Sequence, residues 1–299
     1  METPATSEPA PYPESVPGPT FASLTLVLPA FNEAERIGPA LDELFAYLDP
    51  PPADAEARPA DAEAQPAPAA PADATPAPAD AGAALPATIR VLVVDDGSTD
   101  RTAHLVLDRP EASRPEAHPC RLELLRVAHG GKGAAVRAGM LAATGEVVVF
   151  ADADMATPPD QLPLLLAALG AADVALGSRI QPDGSDMRAT QPAHRRMLGR
   201  VFHELASIWV VGPVQDTQCG FKGFRLAAAR EVFGRQLVTS IVFDVEIIYL
   251  VRRLGYRMLV VPIRWEDRRG SRMRPGVMLA FRVAFDLFRI PLIHRRVRA

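Results

Sequence analysis

Short apolar runs alternate with amphipathic stretches along the first 180 residues of the chain. The run at 89–94, IRVLVV, is rich in β-branched residues, which is typical of a strand buried on both faces of a sheet. The apolar runs predict five strands, at residues 25–29, 89–94, 122–127, 146–151 and 173–178. The stretches between them repeat apolar residues at helical spacing. They predict four helices, at residues 32–48, 99–107, 130–143 and 159–169.

The regular alternation of strand and helix predicts an open, mostly parallel sheet with helices on both faces. In such sheets, ligands bind at the carboxyl ends of the strands. Polar clusters stand at these ends: AFNE follows the first strand, DDGS the second, DAD the fourth and GSR the fifth. We therefore expect one functional site along this edge of the sheet.

The pattern changes beyond residue 180, where we predict helices at 195–211 and 226–233 and a strand near 258–261. A last amphipathic stretch at 277–293 has Arg282, Asp286 and Arg289 on one side. Its apolar side holds Met278, Phe281, Phe285, Phe288 and Leu292. Both packing on the core and insertion into a membrane interface explain such a stripe.

Two segments, 1–20 and 50–87, are rich in Pro and Ala and hold few side chains that can pack. Because such segments cannot offset their ordering entropy by burial, we predict a disordered N-terminal tail and a disordered surface insert. The remaining residues, about 240, suit one large α/β domain. We place this domain at 21–275, followed by a basic amphipathic C-terminal segment at 276–299.

The two cysteines, Cys120 and Cys219, exclude a disulfide framework and a four-cysteine zinc site, and favour a reduced, cytosolic setting. The uncharged apolar runs are shorter than the roughly 18–20 residues that cross a bilayer. Residues 1–20 lack the basic start and apolar centre of a secretory signal. We expect a cytoplasmic protein that has no transmembrane segment and that can attach peripherally to the inner face of the cell membrane.

The net charge of −4 gives no reason to expect a nucleic-acid partner. The charge is unevenly distributed, because the chain from Arg252 to its end has 13 arginines against three acids, Glu266, Asp267 and Asp286. This asymmetry predicts a surface that meets phosphate, either on a substrate or on a bilayer. A solvated basic face is the alternative interpretation.

The pair Asp152 and Asp154 directly follows an apolar strand. Two carboxylates at this spacing can face one ligand if the chain turns there, and their hard oxygens suit Mg²⁺ or Mn²⁺. Such an ion neutralises a diphosphate. An Asp-x-Asp also occurs by chance in many loops, so the pair predicts a metal site only together with the other clusters.

Two further clusters fit a nucleotide. Asp95 and Asp96 end the second strand, where carboxylates commonly bind a ribose hydroxyl or a base N–H; equally, Asp96 could cap the next helix. The sequence GGKG at 130–133 opens a helix, and exposed N–H groups with one lysine favour a phosphate there. Lys132 is one of only two lysines in the chain, and the Walker spacing of a P-loop is absent.

These segments together resemble a family 2 glycosyltransferase of the GT-A fold. The matching motifs are PAFNE at 29–33, VVDDGSTD at 93–100, GGKGAAVRAG at 130–139, FADADMAT at 150–157 and GSR at 177–179. The second half narrows the resemblance to the dolichyl-phosphate β-glucosyltransferases. Its motifs are RRMLGRVFHEL at 195–205, DTQCGFKGF at 216–224, FDVEIIYL at 243–250 and RWEDRRGSRMRP at 264–275.

The resemblance implies a role for each matched position. Asp152 and Asp154 are the implied metal ligands, with Mg²⁺ or Mn²⁺ as cofactor. The implied catalytic residues are Asp154, Arg179, Asp216, Asp244 and Arg272. The implied substrate contacts are Pro29, Ala30, Asn32, Glu33, Asp95, Asp96, Gly131, Lys132, Asp152, Ala153, Arg195, Arg196, Gln218, Glu246 and Arg269.

The implied reaction is an inverting, metal-dependent transfer of a hexose from a nucleotide sugar, UDP-glucose above all, to polyprenyl or dolichyl phosphate. An anionic phosphate acceptor needs charge clamping and alignment but no strong base, and arginine grips phosphate in two places. A hydroxyl acceptor would need a carboxylate base, for which Asp216 and Asp244 are the candidates.

Three alternatives stay open: transfer to a soluble small acceptor, a sugar-phosphate nucleotidyltransferase, and a non-catalytic binding protein. The second expects a glycine-rich loop after the first strand, where this chain has PAFNEAE. The third is disfavoured by two carboxylate pairs and Lys132 together.

Overall fold

The computed structural model describes residues 21–50, 84–190, 206–212, 214, 216–268 and 277–298. The predicted tail at 1–20, all but the ends of the predicted insert at 50–87, and most of the predicted helix at 195–211 lie outside the described residues. Within the described part, no helix has the length and apolar character needed to span a bilayer.

A seven-stranded sheet forms the centre of the described structure. Its strands are β1 (Ser23–Ala30), β2 (Thr88–Asp95), β3 (Cys120–Arg126), β4 (Val147–Ala151), β5 (Val174–Ser178), β6 (Phe221–Arg225) and β7 (Met258–Pro262). Their order is β3-β2-β1-β4-β6-β5-β7. Only β6 runs antiparallel to its neighbours β4 and β5, so the predicted mostly parallel sheet is confirmed.

Strand β6 is absent from the sequence prediction because its apolar pattern is interrupted by Lys222 and Gly223. The Lys222 side chain is fully buried and paired with Asp244, so a charged residue occupies a core position. Gly223 lies where a Cβ would come within 3.0 Å of Leu169 on the helix above the strand. A charged residue and a glycine in the middle of a short segment do not predict a strand from the sequence alone.

Helices cover both faces of the sheet. They are α1 (Ile37–Leu48), α2 (Thr102–Leu107), α3 (Lys132–Ala142), α4 (Leu162–Ala171), α5 (Leu226–Arg235), α6 (Phe243–Arg253) and α7 (Val277–Ile293). Short 3₁₀ turns lie at Pro110–Ser113, Pro159–Gln161 and Met187–Thr190, and a π-helical turn lies at Ser207–Val211.

Helices α1 and α2 begin later than the predicted residues 32 and 99. Residues before each helix form loops whose amides bond to side chains of the other loop: Ser98 Oγ accepts from the Asn32 amide, and Asn32 Oδ1 accepts from the Thr99 amide. Asn32 also has a φ of 55°, a left-handed conformation that a helix does not contain.

The core is divided by the sheet into two clusters. In β1, Leu24, Leu26 and Leu28 point to one face, where α1 and α4 pack, while Val27 points to the other. The second face is covered by α3, α5, α6 and part of α7. This alternation follows from the two-residue period of a strand.

Helix α7 has apolar side chains on two faces, and one of these faces packs on the core. Leu287 and Ile290 are buried in the second core cluster. Phe285, Phe288 and Leu292 are exposed. The face that packs on the core is therefore not the predicted apolar stripe, whose members Phe285, Phe288 and Leu292 are exposed; the side chains of Met278 and Phe281 lie outside the described part.

Candidate active site

The loops after β1 and β2 are joined to each other at the carboxyl edge of the sheet. Asn32 uses its side-chain oxygen to accept the amide of Thr99 at 2.8 Å, and Thr102 Oγ1 accepts the amide of Glu33 at 2.7 Å. The carboxylate of Glu33 in turn binds Arg36 through two hydrogen bonds of 2.6 Å. Asn32 and Glu33 are expected substrate contacts. In the structure, these atoms of both residues bind neighbouring groups at the edge of the site.

The residues next to these loops are placed at the same edge. Pro29 and Ala30 end β1, opposite Val94 and Asp95 of β2. Beside them, the Phe31 and His129 rings stack at 4.2 Å between centroids and an interplanar angle of 21°. Sequence reasoning missed this ring pair, because Phe31 and His129 are nearly one hundred positions apart and neither belongs to a periodic pattern.

Asp95 is fully buried at the end of β2. Its Oδ1 accepts the Ser98 amide at 2.9 Å. Its Oδ2 is buried and accepts no hydrogen bond within the part of the chain that the structure describes, although the exposed Arg126 Nε lies 3.4 Å away. A buried acceptor without a donor costs free energy, so this atom is suited to receive an N–H or O–H of a ligand.

Asp96 caps the glycine-rich loop instead. Its two oxygens accept the amides of Gly130 and Gly131 at 2.8 and 2.9 Å, and His129 Nδ1 lies 2.8 Å from Oδ2. The expected substrate contact by Asp96 gives way to this internal role, since both of its oxygens hold the loop that starts α3. The alternative that Asp96 caps the next helix is wrong, because the N-cap residue of α2 makes no side-chain cap and Asp96 binds the loop that precedes α3.

The glycine-rich loop at 130–133 packs tightly on the segment before α6. The Gly133 amide donates to Thr239 O at 3.0 Å, and a Cβ at position 133 would lie 2.8 Å from that same oxygen. Gly131 has a φ of 94°, which favours glycine. The glycines thus let the start of α3 approach its neighbour closely, leaving Lys132 to extend toward β4.

Lys132 reaches the first aspartate of the DAD sequence, with its Nζ 2.5 Å from Asp152 Oδ1. Burial alone would lower the pKa of the Lys132 ammonium, but Asp152, Asp244 and Asp154 outweigh it and raise the pKa. Lys132 is therefore a permanent positive charge between α3 and the end of β4.

The chain turns sharply at the residue that follows Asp154. Met155 has a φ of 51°, and the Asp154 Oδ1 accepts the Ala156 amide at 3.1 Å. Burial raises the pKa of the Asp154 carboxyl, and the negative charge of Asp152 raises it further. Ala153 is buried between them. Two carboxylates that repel each other in this way form a site that a cation would stabilise.

These two carboxylates have the chemistry of Mg²⁺ or Mn²⁺ ligands. Within the described residues there is no group of three or more potential ligands of the His, Cys, Asp and Glu types. An ion held by Asp152 and Asp154 would need further ligands besides these two carboxylates.

Arg179, at the end of β5, is paired with Asp216. Its Nε and Nη2 donate to the two carboxylate oxygens at 2.8 and 2.7 Å, and its backbone amide donates to Oδ2 at 2.9 Å. Burial alone would raise the pKa of Asp216, but the hydrogen bonds and charge of Arg179 lower it to about 2. The expected phosphate contact by Arg179 is limited by this pairing, and Asp216 is a poor general base.

Lys222 and Asp244 form a buried ion pair beneath the site, with Nζ 2.6 Å from Oδ1. Lys222 also donates to Cys219 O at 2.5 Å. Burial raises the pKa of Asp244, while Lys222 and Lys132 oppose this shift. Sequence reasoning did not place Lys222 in the site, although its being one of two lysines was a usable signal.

Glu246 requires a correction. It is fully buried, and its oxygens accept the amides of Leu237 and Val238 at 2.9 and 2.8 Å, with His294 Nε2 2.6 Å from Oε1. These contacts engage both oxygens, so Glu246 supports the loop before α6 instead of contacting a sugar. Gln218 is partly buried and likewise donates to that loop, at Ile241 O.

Four of the predicted site arginines, Arg195, Arg196, Arg269 and Arg272, lie outside the described residues, and their roles stay predictions. The described site therefore brings together Lys132, Asp152, Asp154 and Asp244 beside the end of β4, and Asp95 lies at the same edge of the sheet at the end of β2.

Comparison with known proteins adds to this geometry. A model of the family described as glycosyl transferase family 2 matches residues 83–233. A dolichyl-phosphate beta-glucosyltransferase of Trichomonas vaginalis is 33% identical over 96% of this chain and 78% of its own length. The protein of that name from Drosophila melanogaster is 34% identical over 84% of this chain and 69% of its own length.

Two solved structures share the fold. Glucosyl-3-phosphoglycerate synthase from Mycobacterium tuberculosis, in complex with Mn²⁺, uridine diphosphate and glucosyl-3-phosphoglycerate, aligns with a TM-score of 0.52 and 18% identity. The alignment covers 91% of this chain and 79% of that one. Mannosyl-3-phosphoglycerate synthase from Rubrobacter xylanophilus aligns with a TM-score of 0.53 and 16% identity, over 92% of this chain and 74% of that one.

Proposed function

Because the chain belongs to glycosyltransferase family 2 and has the GT-A fold, we propose that it transfers glucose from UDP-glucose to polyprenyl or dolichyl phosphate. The reaction is an inverting, metal-dependent displacement. The acceptor phosphate oxygen attacks the anomeric carbon from the side opposite the leaving uridine diphosphate, so one C–O bond forms as the other breaks.

The observation that carries this proposal is the cluster of Asp152, Asp154 and Lys132 at the ends of β4 and α3. Carboxylates for a divalent cation and a fixed ammonium together make a cradle for a diphosphate. Removing one such group from a site that stabilises developing charge typically costs roughly 10²–10³-fold in turnover. The cluster accordingly suits a diphosphate leaving group.

The nucleotide end of the donor is accommodated by Asp95. Its buried Oδ2 needs a donor, and the imide N–H of a uracil or a ribose hydroxyl supplies one. The adjacent ring pair of Phe31 and His129 offers flat rings at the same edge, on which a base can stack. A nucleoside fits this polar and aromatic combination better than a sugar phosphate does.

A divalent cation, Mg²⁺ or Mn²⁺, would be held by Asp152 and Asp154 and would stabilise the negative charge that develops on the departing diphosphate. Lys132 acts beside it by keeping its positive charge next to Asp152. When an anionic diphosphate enters, Lys132 can exchange part of its contact with Asp152 for a phosphate oxygen.

A phosphate acceptor agrees with the state of the two candidate bases. Asp216, with a pKa of about 2, stays ionised but binds a proton too weakly to activate a hydroxyl. Asp244 is buried against Lys222. An acceptor that is already anionic needs neither carboxylate, and the names of the Trichomonas and Drosophila relatives include dolichyl phosphate. We place the reaction on the cytoplasmic surface of a membrane.

Transfer of radiolabel from UDP-glucose into an organic-extractable product tests the proposal, with polyprenyl phosphate as acceptor and Mg²⁺ or Mn²⁺ present. Label in the organic phase should disappear with EDTA and with Asp154→Ala. The matched control is Asp42→Ala, a surface acid that is 71% exposed and should leave transfer unchanged.

Two results would overturn parts of the proposal. Label in the organic phase from GDP-mannose, and none from UDP-glucose, would show that the donor is GDP-mannose. Metal-dependent release of UDP with a soluble phosphorylated acceptor, and without organic label, would retain the transferase chemistry and exclude the lipid acceptor.

A further inference from the structure

Five large apolar side chains are exposed together on α7 and on the π-helical turn before it in sequence. These residues, here called the α7 patch, are Trp209, Phe285, Phe288, Leu292 and Ile293. Phe285 and Leu292 are 64% and 65% exposed, which is far more than a residue at the rim of a core. Clusters of exposed apolar side chains commonly mark an interaction surface.

The two segments that carry the patch contact each other. The rings of Trp209 and Phe288 lie 5.3 Å apart, and the Trp209 indole N–H points to the Phe288 carbonyl oxygen at 3.5 Å. The patch is thus one surface made of two parts of the chain.

The opposite face of α7 is fixed to the body of the protein. Ser240 Oγ donates to Asp286 Oδ2 at 2.6 Å, and His294 lies 2.6 Å from Glu246. Arg253 Nε donates to Val297 O just beyond the helix. Because the helix is anchored by buried polar bonds on one side, its exposed apolar side has a defined orientation.

Positive charge surrounds the patch. Residues 282–298 contain five arginines and one acid, Asp286, which is buried and paired with Arg289. Of these arginines, Arg282, Arg295, Arg296 and Arg298 are exposed. Arg289 lies over the Phe285 ring at 5.6 Å. An apolar centre with exposed arginines around it is complementary to anionic headgroups above acyl chains.

We propose that the α7 patch docks the protein on the surface of an anionic lipid bilayer. This inference rests on the proposed lipid-phosphate acceptor and adds the surface that meets the membrane. The aromatic and aliphatic side chains enter the interface, while Arg282, Arg295 and Arg296 contact lipid phosphates. A tryptophan suits the interface because its ring is apolar and its N–H is polar.

Charge favours a bilayer over a second copy of the chain. Two copies that met through this surface would bring their arginines against each other, without exposed acids in residues 282–298 to compensate. A bilayer that contains acidic lipids supplies the missing negative charge. Each well-placed arginine near such a surface strengthens binding, and the strengthening weakens with salt.

The patch is linked to the donor site through a short chain of contacts. Asp286 of α7 binds Ser240, and the neighbouring Thr239 carbonyl accepts the amide of Gly133. Glu246, which contacts His294, also holds the amides of Leu237 and Val238. The buried face of α7 therefore contacts the segment that supports the glycine-rich loop, and its exposed face, which would meet the bilayer, lies on the other side of the same helix.

Sedimentation with lipid vesicles tests the proposal without any substrate. The full chain should bind vesicles of equimolar phosphatidylcholine and phosphatidylglycerol and bind pure phosphatidylcholine much more weakly. Combined Phe285→Ala, Phe288→Ala and Leu292→Ala should weaken binding by about tenfold or more, because each buried apolar side chain contributes to interfacial binding. Combined Arg295→Gln and Arg296→Gln should weaken it by about tenfold and reduce its salt dependence.

The matched controls are Leu107→Ala and Arg230→Gln, which remove an exposed leucine and an exposed arginine from α2 and α5. Both should bind vesicles as the unsubstituted protein does. Thermal unfolding verifies that every variant is folded, which is expected because the altered side chains are exposed.

Several outcomes would overturn the docking surface. These are equal binding to neutral and anionic vesicles, binding that all the substitutions leave unchanged, and absence of vesicle binding. A shift from dimer to monomer in the triple variant, measured by light scattering, would assign the patch to self-association. Vesicle binding without glucosyl transfer would retain the docking surface and reject the proposed function, so the two failures are distinguishable.

Discussion

Gly220 faces the carboxylate of Asp152 so closely that a Cβ at position 220 would lie 2.2 Å from Oδ2. The Gly220 carbonyl also accepts the Asp152 amide at 3.1 Å. The turn before β6 thus defines where the first aspartate of the DAD sequence sits, and it leaves no room for a side chain.

Gly220→Ala should therefore impair catalysis more than folding. The added methyl group pushes the Asp152 carboxylate away from Lys132, and a displacement of about 1 Å in a catalytic site costs roughly 100-fold in turnover. The strain of the extra carbon should lower the free energy of unfolding by about 1–3 kcal/mol. The measurements are kcat for UDP-glucose and urea unfolding.

Gly234→Ala is the control for this prediction, since a Cβ at position 234 would meet no atom within 4 Å. It lies in α5 and should keep full activity while raising the free energy of unfolding by about 0.5–1 kcal/mol. Normal turnover in Gly220→Ala would mean that the position of Asp152 does not matter for the reaction.

The Arg179–Asp216 pair should make stability depend on acid. The pKa of Asp216 is about 2 in the folded protein, below the usual 3.8, so the ionised carboxylate stabilises the fold at pH values above that usual pKa. This contribution, about 2 kcal/mol, should be lost as the pH falls from 4 through 2. Urea unfolding at several pH values, compared with Asp216→Asn, measures it.

Asp216→Asn should also lower stability at neutral pH by roughly 3–5 kcal/mol, because the buried Arg179 guanidinium loses its anionic partner. Asp42→Asn, which removes an exposed carboxylate paired with Arg109, should change the free energy of unfolding by less than about 1 kcal/mol at every pH. If the difference between Asp216→Asn and the unsubstituted protein stays constant down to pH 2, the pair does not carry this acid dependence.

Gln236 should act as a positioning residue for the loop that holds Lys132. Its Nε2 donates to the carbonyls of Gly133 and Val238 at 2.9 and 2.8 Å. Gln236→Met keeps the volume and removes both donors, which should cost about 1–3 kcal/mol of stability. The KM for UDP-glucose should rise several-fold with a smaller change in kcat, because donor binding is the affected step.

A second buried glutamine separates this role from a loss of stability alone. Gln161 accepts the amide of Arg264 at 2.9 Å, outside the glycine-rich loop. Gln161→Met should lower the free energy of unfolding to a similar degree and leave the donor KM unchanged. An equal rise of KM in both variants would show that Gln236 has no specific effect on the donor.

Much of the fold is local in origin and was predictable for that reason. Strands β1, β2, β4 and β5 are mainly apolar runs, and their ends carry the polar motifs that meet at one edge of a mostly parallel sheet. The strand and helix patterns beside the DAD and GGKG sequences were therefore enough to predict where these two sequences lie in the fold. The resemblance to family 2 glycosyltransferases rests on the same local motifs and is confirmed by the family match over residues 83–233.

Contacts between residues that are far apart in the chain could not be predicted from the sequence. The side chain of Arg179 meets Asp216, and that of Glu246 meets His294, only because the sheet and α7 bring separate segments together. Buried charges carry no periodic signal, and this is also why β6 with its Lys222 was missed. From the sequence alone, a charged residue that has a partner inside the protein cannot be distinguished from one that contacts substrate.

The sequence by itself determined the alternation of strands and helices, the placement of Asp95, Asp152 and Lys132 at strand and helix ends, and the basic character of the C-terminal segment. These depend on periodicity and on residues close in the chain. Tertiary structure alone decided which carboxylates are engaged internally and which face of α7 is uncovered. Both depend on what packs against a side chain, and in a folded chain those neighbours come mostly from far along the sequence.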